Sequence, residues 1–201
     1  MLAALLVCQT NTATTIIASA RKQLDQAQSI TVTRIRTTEE FPKTTKTKYW
    51  FRKGGFFRSE SPNAIDLSNP RHGWTYRADQ KIYQSRPPLP TTINPMPVLD
   101  LDILSAGLPI VGTVKSTVWH KHPALRIELD ARKQMTKETK LFVYFDPKTN
   151  LPIGISANLG SVTQVMLYEE LRIDPKIDDK MFQFTPPKDW REVTATTGGW
   201  K

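Results

Sequence analysis

The spacing of apolar residues changes period once, early in the chain. Ile16, Ile17, Ala20, Leu24 and Ala27 recur at helical intervals, with Arg21, Lys22 and Asp25 on the other side. This predicts an amphipathic helix over 12–28. From Ile30 the period falls to two. Ile30 and Val32 alternate with Thr31 and Thr33, which predicts a strand to about Thr38. A second strand is expected over 46–53, with Tyr49, Trp50 and Phe51. Gly54-Gly55 then marks a hairpin turn, and 56–61 returns as a third strand. Asn69-Pro70 and His72-Gly73 bracket a further turn. Trp74-Thr75-Tyr76 follows, and the chain comes back through Ile82-Tyr83.

Prolines at 87, 88, 90, 95 and 97 interrupt any regular element across 86–97, so this stretch reads as an extended arm. It leads into Val98-Leu99-Asp100-Leu101-Asp102-Ile103-Leu104, predicted as a short apolar helix ending near Gly107. Strands are expected over 111–119, 124–130, 139–146, 153–159 and 161–173, with a turn at 146–150. Near the end, Phe182 and Phe184 share one face of an extended chain, and Pro186-Pro187 follows. Neither proline donates to a ladder. The segment 181–185 is therefore expected as the strand that closes the β structure. The pattern predicts an antiparallel β protein with one or two helices.

Composition narrows the class. The chain has 201 residues, which suits a single domain over 12–201. Its net charge of +9 is spread along the chain without a basic run, and no zinc-knuckle or RNA-binding motif accompanies it. Nucleic acid is therefore not expected as a partner. Cys8 is the one cysteine, so no internal disulfide forms. No stretch reaches the length of an apolar membrane span. The apolar start, residues 1–11, reads as the remnant of a secretory signal without its positive region. Leu5-Leu6-Val7-Cys8 is similar to a lipobox, whose cysteine would be acylated and would tether the protein to a membrane.

Candidate chemistry is sparse. His120 and His122 share a strand face if extended, but two imidazoles do not complete a metal site, and Lys121 and Pro123 suggest a turn. Asp100 and Asp102 alternate with leucines, as the wet face of a cover would. Residues 154–158 miss the nucleophile-elbow pattern at its last position. No phosphate loop or dinucleotide fingerprint occurs. No enzyme activity, metal or cofactor is expected. Hydrophobic binding remains. A curled sheet with aromatics inside and an apolar helix after a flexible arm can shelter a lipid. A chain of about sixteen carbons costs about 12 kcal/mol to leave in water, so a carrier needs a movable cover. The expected cavity lining is Trp50, Phe51, Trp74, Tyr76 and Trp119, with Leu101 and Leu104 on the cover; plain core packing is the competing account of each aromatic.

The segments Ser29 to Thr33, Tyr49 to Lys53, Phe57 to Glu60, Trp74 to Tyr76, Leu141 to Pro152 (with its D-x-x-T-x-L-P hairpin) and Phe182 to Pro187 occur in the order found in one family. Together they resemble the LolA/LolB-like periplasmic lipoprotein carriers. The resemblance implies an open, half-wrapped antiparallel β barrel closed by an N-terminal helix and a helical lid, with acyl chains held between barrel and lid. It implies a lid latch at Arg52 or Lys53, although lysine lacks the planar fork of arginine. It implies a periplasmic location, lipid or lipoprotein acyl chains as ligand, and docking proteins in the inner and outer membranes. Two roles stand: a carrier moving lipid or lipoprotein towards the outer membrane, and a sensor module binding an envelope protein of the anti-sigma-factor type.

Overall fold

A computed structural model describes residues 12–38, 44–90, 94–132 and 139–194. The element order is α1 (Ala13–Gln26), β1 (Ser29–Thr38), β2 (Thr45–Arg52), β3 (Phe56–Glu60), β4 (Ile65–Ser68), β5 (Gly73–Arg77), β6 (Ile82–Arg86), α2 (Pro95–Val98), β7 (Ile110–Trp119), β8 (His122–Leu129), β9 (Lys140–Phe145), β10 (Pro152–Asn158), β11 (Thr163–Ile173) and β12 (Arg191–Glu192). Two short 3-10 turns, Asp102–Leu104 and Asp179–Phe182, complete it. The helix begins where a capping side chain is available, since Thr12 Oγ1 accepts from the Thr15 amide. It stops two residues before the expected end.

The strands form one sheet in the order β12-β6-β5-β4-β3-β2-β1-β11-β10-β9-β8-β7. Every pairing among the described residues is antiparallel except that of β12 with β6. The sheet is mainly meander, opened once where β1 pairs with β11. It is open: β7 pairs with β8 alone and β12 with β6 alone.

One cluster of buried side chains contains Phe57 from β3, Phe51 and Tyr49 from β2, and Val143 and Phe145 from β9. The outermost of those strands lie five positions apart, or about 24 Å in a flat sheet. The sheet must therefore curl to bring them into one cluster. Helix α1 fills the inside with Ile16, Ala20 and Leu24. Residues 95–104 fill the rest with Met96, Leu99, Leu101 and Leu104. The inner face is thus apolar and covered.

A second, smaller apolar layer lies on the outer face. Cross-strand pairing puts Trp50, Arg58, Leu67 and Trp74 on that face. Tyr76 and Tyr83 sit beside them. The strand expected at 181–185 is absent from the sheet. Asp178 caps a 3-10 turn instead, accepting from the Lys180 amide, and residues 183–187 pair with no strand. Rings do the packing: Phe182 lies against Phe56, with centroids 5.4 Å apart, and Phe184 stacks on Tyr76 at 4.3 Å. Pro186 and Pro187 have no N–H to give to a ladder, whereas the outer aromatics offer the segment a surface. The last strand is β12, which pairs in parallel with β6.

Two other elements differ from expectation. Strand β4 has no counterpart among the expected strands, because its four residues are too few to show a period. The helix expected over 98–104 is broken into α2 and a 3-10 turn, with Asp100 in the left-handed region at φ 57°. Leu99 and Leu101 would lie about 200° apart on one continuous helix. The break lets both be fully buried.

Because Phe182 is buried in the outer layer, Phe182→Ala is expected to lower unfolding free energy in urea by about 3–5 kcal/mol. Under native conditions the gain in hydrogen exchange should be larger for the β3–β5 amides beneath Phe182 than for those of α1, which packs on the other face.

Candidate functional site

The inner face of β1 carries Ile30, Val32 and Arg34, opposite Phe51, Tyr49 and Thr47 of β2. Arg36 continues this face but is exposed, whereas Arg34 is half-buried and meets the segment that covers the sheet. Its Nη1 donates to the Val98 carbonyl at 2.9 Å and to Asp100 Oδ2 at 2.5 Å. Its guanidinium also lies over the Tyr49 ring, 5.1 Å from the centroid. Next to it, the Tyr168 hydroxyl of β11 donates to the Leu99 carbonyl at 2.6 Å. Burial, then the nearby Asp100 carboxylate, push the Tyr168 phenol far above its ordinary range. The hydroxyl is therefore protonated, and a donor, at neutral pH. Three polar contacts thus gather on residues 98–100, in the middle of the covering segment.

The segment's backbone needs these contacts. Its helix is one turn long, so most of its carbonyls have no helical partner. Asn94 Oδ1 accepts from the Met96 amide and starts the turn. Arg34 and Tyr168 take up carbonyls of Val98 and Leu99. What remains is apolar: Met96, Leu99, Leu101 and Leu104 are buried among residues of α1, β1, β2 and β8–β11.

The expected cavity residues divide between the two faces. Phe51, Leu101 and Leu104 are on the inside, in one cluster. Trp50 precedes Phe51 and so faces out, opposite Arg58, with the Lys48 ammonium 5.2 Å from its ring. Trp74 and Tyr76 also face out, beneath Phe184. Trp119 lies on the outer face of β7, stacked on Tyr144 at 3.6 Å. Consecutive strand residues point to opposite faces, so Trp50 and Phe51 cannot line one cavity. Trp119 is seated over Gly154: a Cβ there would stand 2.5 Å from Trp119 Nε1. That indole nitrogen is buried without a hydrogen-bond partner.

Neither residue expected as the latch reaches the carbonyls of 98–100. Arg52 pairs with Asp179 and lies over Phe56 on the outer face. Lys53 donates to the Gln26 carbonyl at the end of α1. The contact with 98–100 belongs to Arg34, one strand earlier. Its signal in the sequence was a charge at an inward position of β1, continuing the alternation of Ile30 and Val32. Cys8 lies outside the described residues. His120 and Lys121, with φ of 44° and 72°, form the two-residue turn between β7 and β8. The segment 154–158 lies within β10. No helix among the described residues is long and apolar enough to cross a membrane.

Two openings lead to the covered face. One, about 420 Å³, lies between the end of α1 and the β2–β3 hairpin and is lined by Leu24, Ile30, Phe51, Phe56 and Pro95. The other, about 180 Å³, lies where Ile17, Ile103, Leu104, Leu108 and Ile110 meet. Both border residues 94–108.

No protein-family model matches the chain, and no curated protein matches it. Solved structures do match. An uncharacterized conserved protein from Thermus thermophilus is similar over 89% of this chain and 96% of its own, with a TM-score of 0.54 and 12% identity. LprF from Mycobacterium bovis is similar over 89% of this chain and 97% of its own, with a TM-score of 0.49 and 11% identity. A LolA superfamily protein from Nitrosomonas europaea is similar over 86% of this chain and 98% of its own, with a TM-score of 0.38 and 11% identity. The first of these likenesses is one of fold, and no activity follows from it.

Removing the anchors should loosen the cover before it loosens the sheet. Arg34→Met is expected to cost about 1–3 kcal/mol, discounted for the exposure of Asp100. Tyr168→Phe is expected to cost about 1 kcal/mol. In both variants the amides of Leu99 and Leu101 should exchange faster than those of β1, by native-state hydrogen exchange. Gly154→Val should expel Trp119 from its seat. The check is a red-shifted tryptophan emission with little change in the cover.

Proposed function

We propose that this protein binds lipid acyl chains on its inner sheet face and carries them, as lipid or lipoprotein, across the periplasm towards the outer membrane. The observation that carries this reading is the cover. Part of a curled apolar face is covered by α1, and the rest by a short segment of leucines held at its middle by Arg34 and Tyr168, since the sheet does not close on itself.

Magnitudes favour exchange. Burying four side chains such as Met96, Leu99, Leu101 and Leu104 is worth roughly 6–12 kcal/mol. A sixteen-carbon chain in their place gains about as much. Cover and cargo are therefore close to balance, and a few kcal/mol from docking partners in either membrane would tip it. Gly107, with φ of 64°, gives the segment an end that can turn. The role of Cys8 as an acylated tether belongs to this proposal, and so does the lining of the binding face by Phe51, Leu101 and Leu104.

The test is binding of a fluorescent fatty acyl probe. The wild type should bind it, and Arg34→Met should bind it roughly tenfold more tightly, because a weaker cover competes less. Leu101→Asp with Leu104→Asp should lose both binding and melting temperature, since both leucines are core residues while the cover is shut. If neither the wild type nor Arg34→Met takes up the probe, the carrier reading fails. The protein would then be read as a module that binds an envelope protein of the anti-sigma-factor type.

A further inference from the structure

Ile110, Val111 and Val118 are the exposed large hydrophobic residues among the described part of the chain, at 36%, 41% and 70% exposure. All three belong to β7, the strand at one edge of the sheet. The edge at the other end is β12, two residues long. A ten-residue edge with apolar side chains is what soluble proteins usually blunt with charges, prolines or cover. Here the run 115–119 carries a single charge, Lys115, and no proline.

The turn at His120-Lys121 sets which backbone groups are free. A two-residue hairpin is closed by a hydrogen-bonded pair, here Trp119 with His122. Pairs alternate between bonded and non-bonded along an antiparallel ladder. Trp119, Thr117 and Lys115 therefore turn their N–H and C=O groups towards β8. Val118 and Ser116 turn theirs outward, away from the sheet.

The side chains give a charge preference. Lys115 stands directly opposite Arg126 on the outer face. Like charges so placed repel. Arg126 lies over the Phe142 ring, 5.0 Å from its centroid. Glu128 lies two residues along the same face of β8, yet no salt bridge joins it, or any other carboxylate among the described residues, to Lys115 or Arg126. An added strand would place one residue across from Lys115, where a carboxylate would neutralise this pair. It would place another across from Val118, on the opposite face, where an apolar residue would cover it. The net charge of +9 favours the same partner by long-range attraction.

We propose that the edge of β7 is a docking site for an extended acidic peptide segment of a partner protein, added antiparallel to β7. Its recognition pattern is an apolar residue across from Val118 and an Asp or Glu three residues later, across from Lys115. Hydrogen bonds to Ser116 and Val118 hold it. Val118 lies at the margin of the inner face, beside Pro123, but a strand added at this edge needs no acyl chain, so the proposal does not depend on the carrier reading. The edge gives the protein a place to grip a partner while the inner face is occupied.

The experiment uses the full chain and a fluorescein-labelled eight-residue Thr/Val peptide with one Glu three residues after a Val, beside its Glu→Lys counterpart. Anisotropy should show the acidic peptide binding roughly threefold to tenfold more tightly than the basic one. Hydrogen exchange should show the Ser116 and Val118 amides slowed by the acidic peptide. Lys115→Glu, which leaves the melting temperature unchanged because the site is exposed, should reverse the preference. Val118→Pro removes one outward donor and should abolish binding of either peptide. The proposal is overturned if the two peptides bind alike, if Lys115→Glu leaves the preference intact, or if neither peptide binds. It is also overturned if sedimentation shows a dimer with those amides already slowed, because a second copy would then occupy the edge.

Discussion

An open curled sheet has an inner apolar face that it cannot bury by closing on itself, and most of this structure follows from that constraint. A barrel covers its interior through its own strands. Here the ladder runs from β12 to β7 without a final pairing, so the interior is covered by pieces added from elsewhere in the chain. Helix α1 supplies one piece with a stripe of Ile16, Ala20 and Leu24. Residues 95–104 supply the other, and they are the weaker one. Helix α1 is held by fourteen residues of continuous hydrogen bonding. The covering segment has one helical turn, one 3-10 turn and a left-handed residue between them. Arg34 and Tyr168 make up the deficit by donating to backbone carbonyls that no helix satisfies.

The outer face solves a different problem. Half of the sheet, from β2 to β6, is apolar outside as well as inside. Leu67 is fully buried there, on the face that Phe182, Phe184 and Trp190 of the C-terminal segment cover. Hydrogen bonds tack this segment down at its margins: Arg58 Nη1 to the Met181 carbonyl at 3.1 Å, and Asn69 Nδ2 to the Phe182 carbonyl at 3.2 Å. Strands buried on both faces lose the clean apolar–polar alternation that marks a half-exposed sheet.

Charge is used sparingly inside and more freely outside. Arg34 with Asp100 is the ion pair that bears on the cover. Its carboxylate is partly exposed, which keeps the desolvation cost of the pair low and lets water compete for it. The Lys115–Arg126 pair on the opposite side of the sheet is the reverse case, a repulsion left standing at an edge.

Sequence alone determined the elements whose side chains keep one period for several residues. Helix α1, the strands from β1 to β3 and from β7 to β11, and the turns at Gly54-Gly55 and at 146–150 were all legible, because burial on one face imposes a two-residue or a 3.6-residue repeat. An open, mostly antiparallel sheet with two helices matches the expected class, and that Leu101 and Leu104 would need a cover was readable from their apolar run. Tertiary structure decided which face each aromatic serves. Trp50 and Phe51 are neighbours, so period two had to send them to opposite sides, but only the presence of apolar partners on both sides made both positions favourable. It also decided the fate of 181–185: Phe182 and Phe184 have the spacing of a strand, yet they are held by rings on β3 and β5 that lie more than a hundred residues away in the chain. The contact of Arg34 with residues 98–100 was hidden for the same reason. Local pattern places a charge on a strand, but only the fold brings the carbonyl of Val98 and the carboxylate of Asp100 within reach of it.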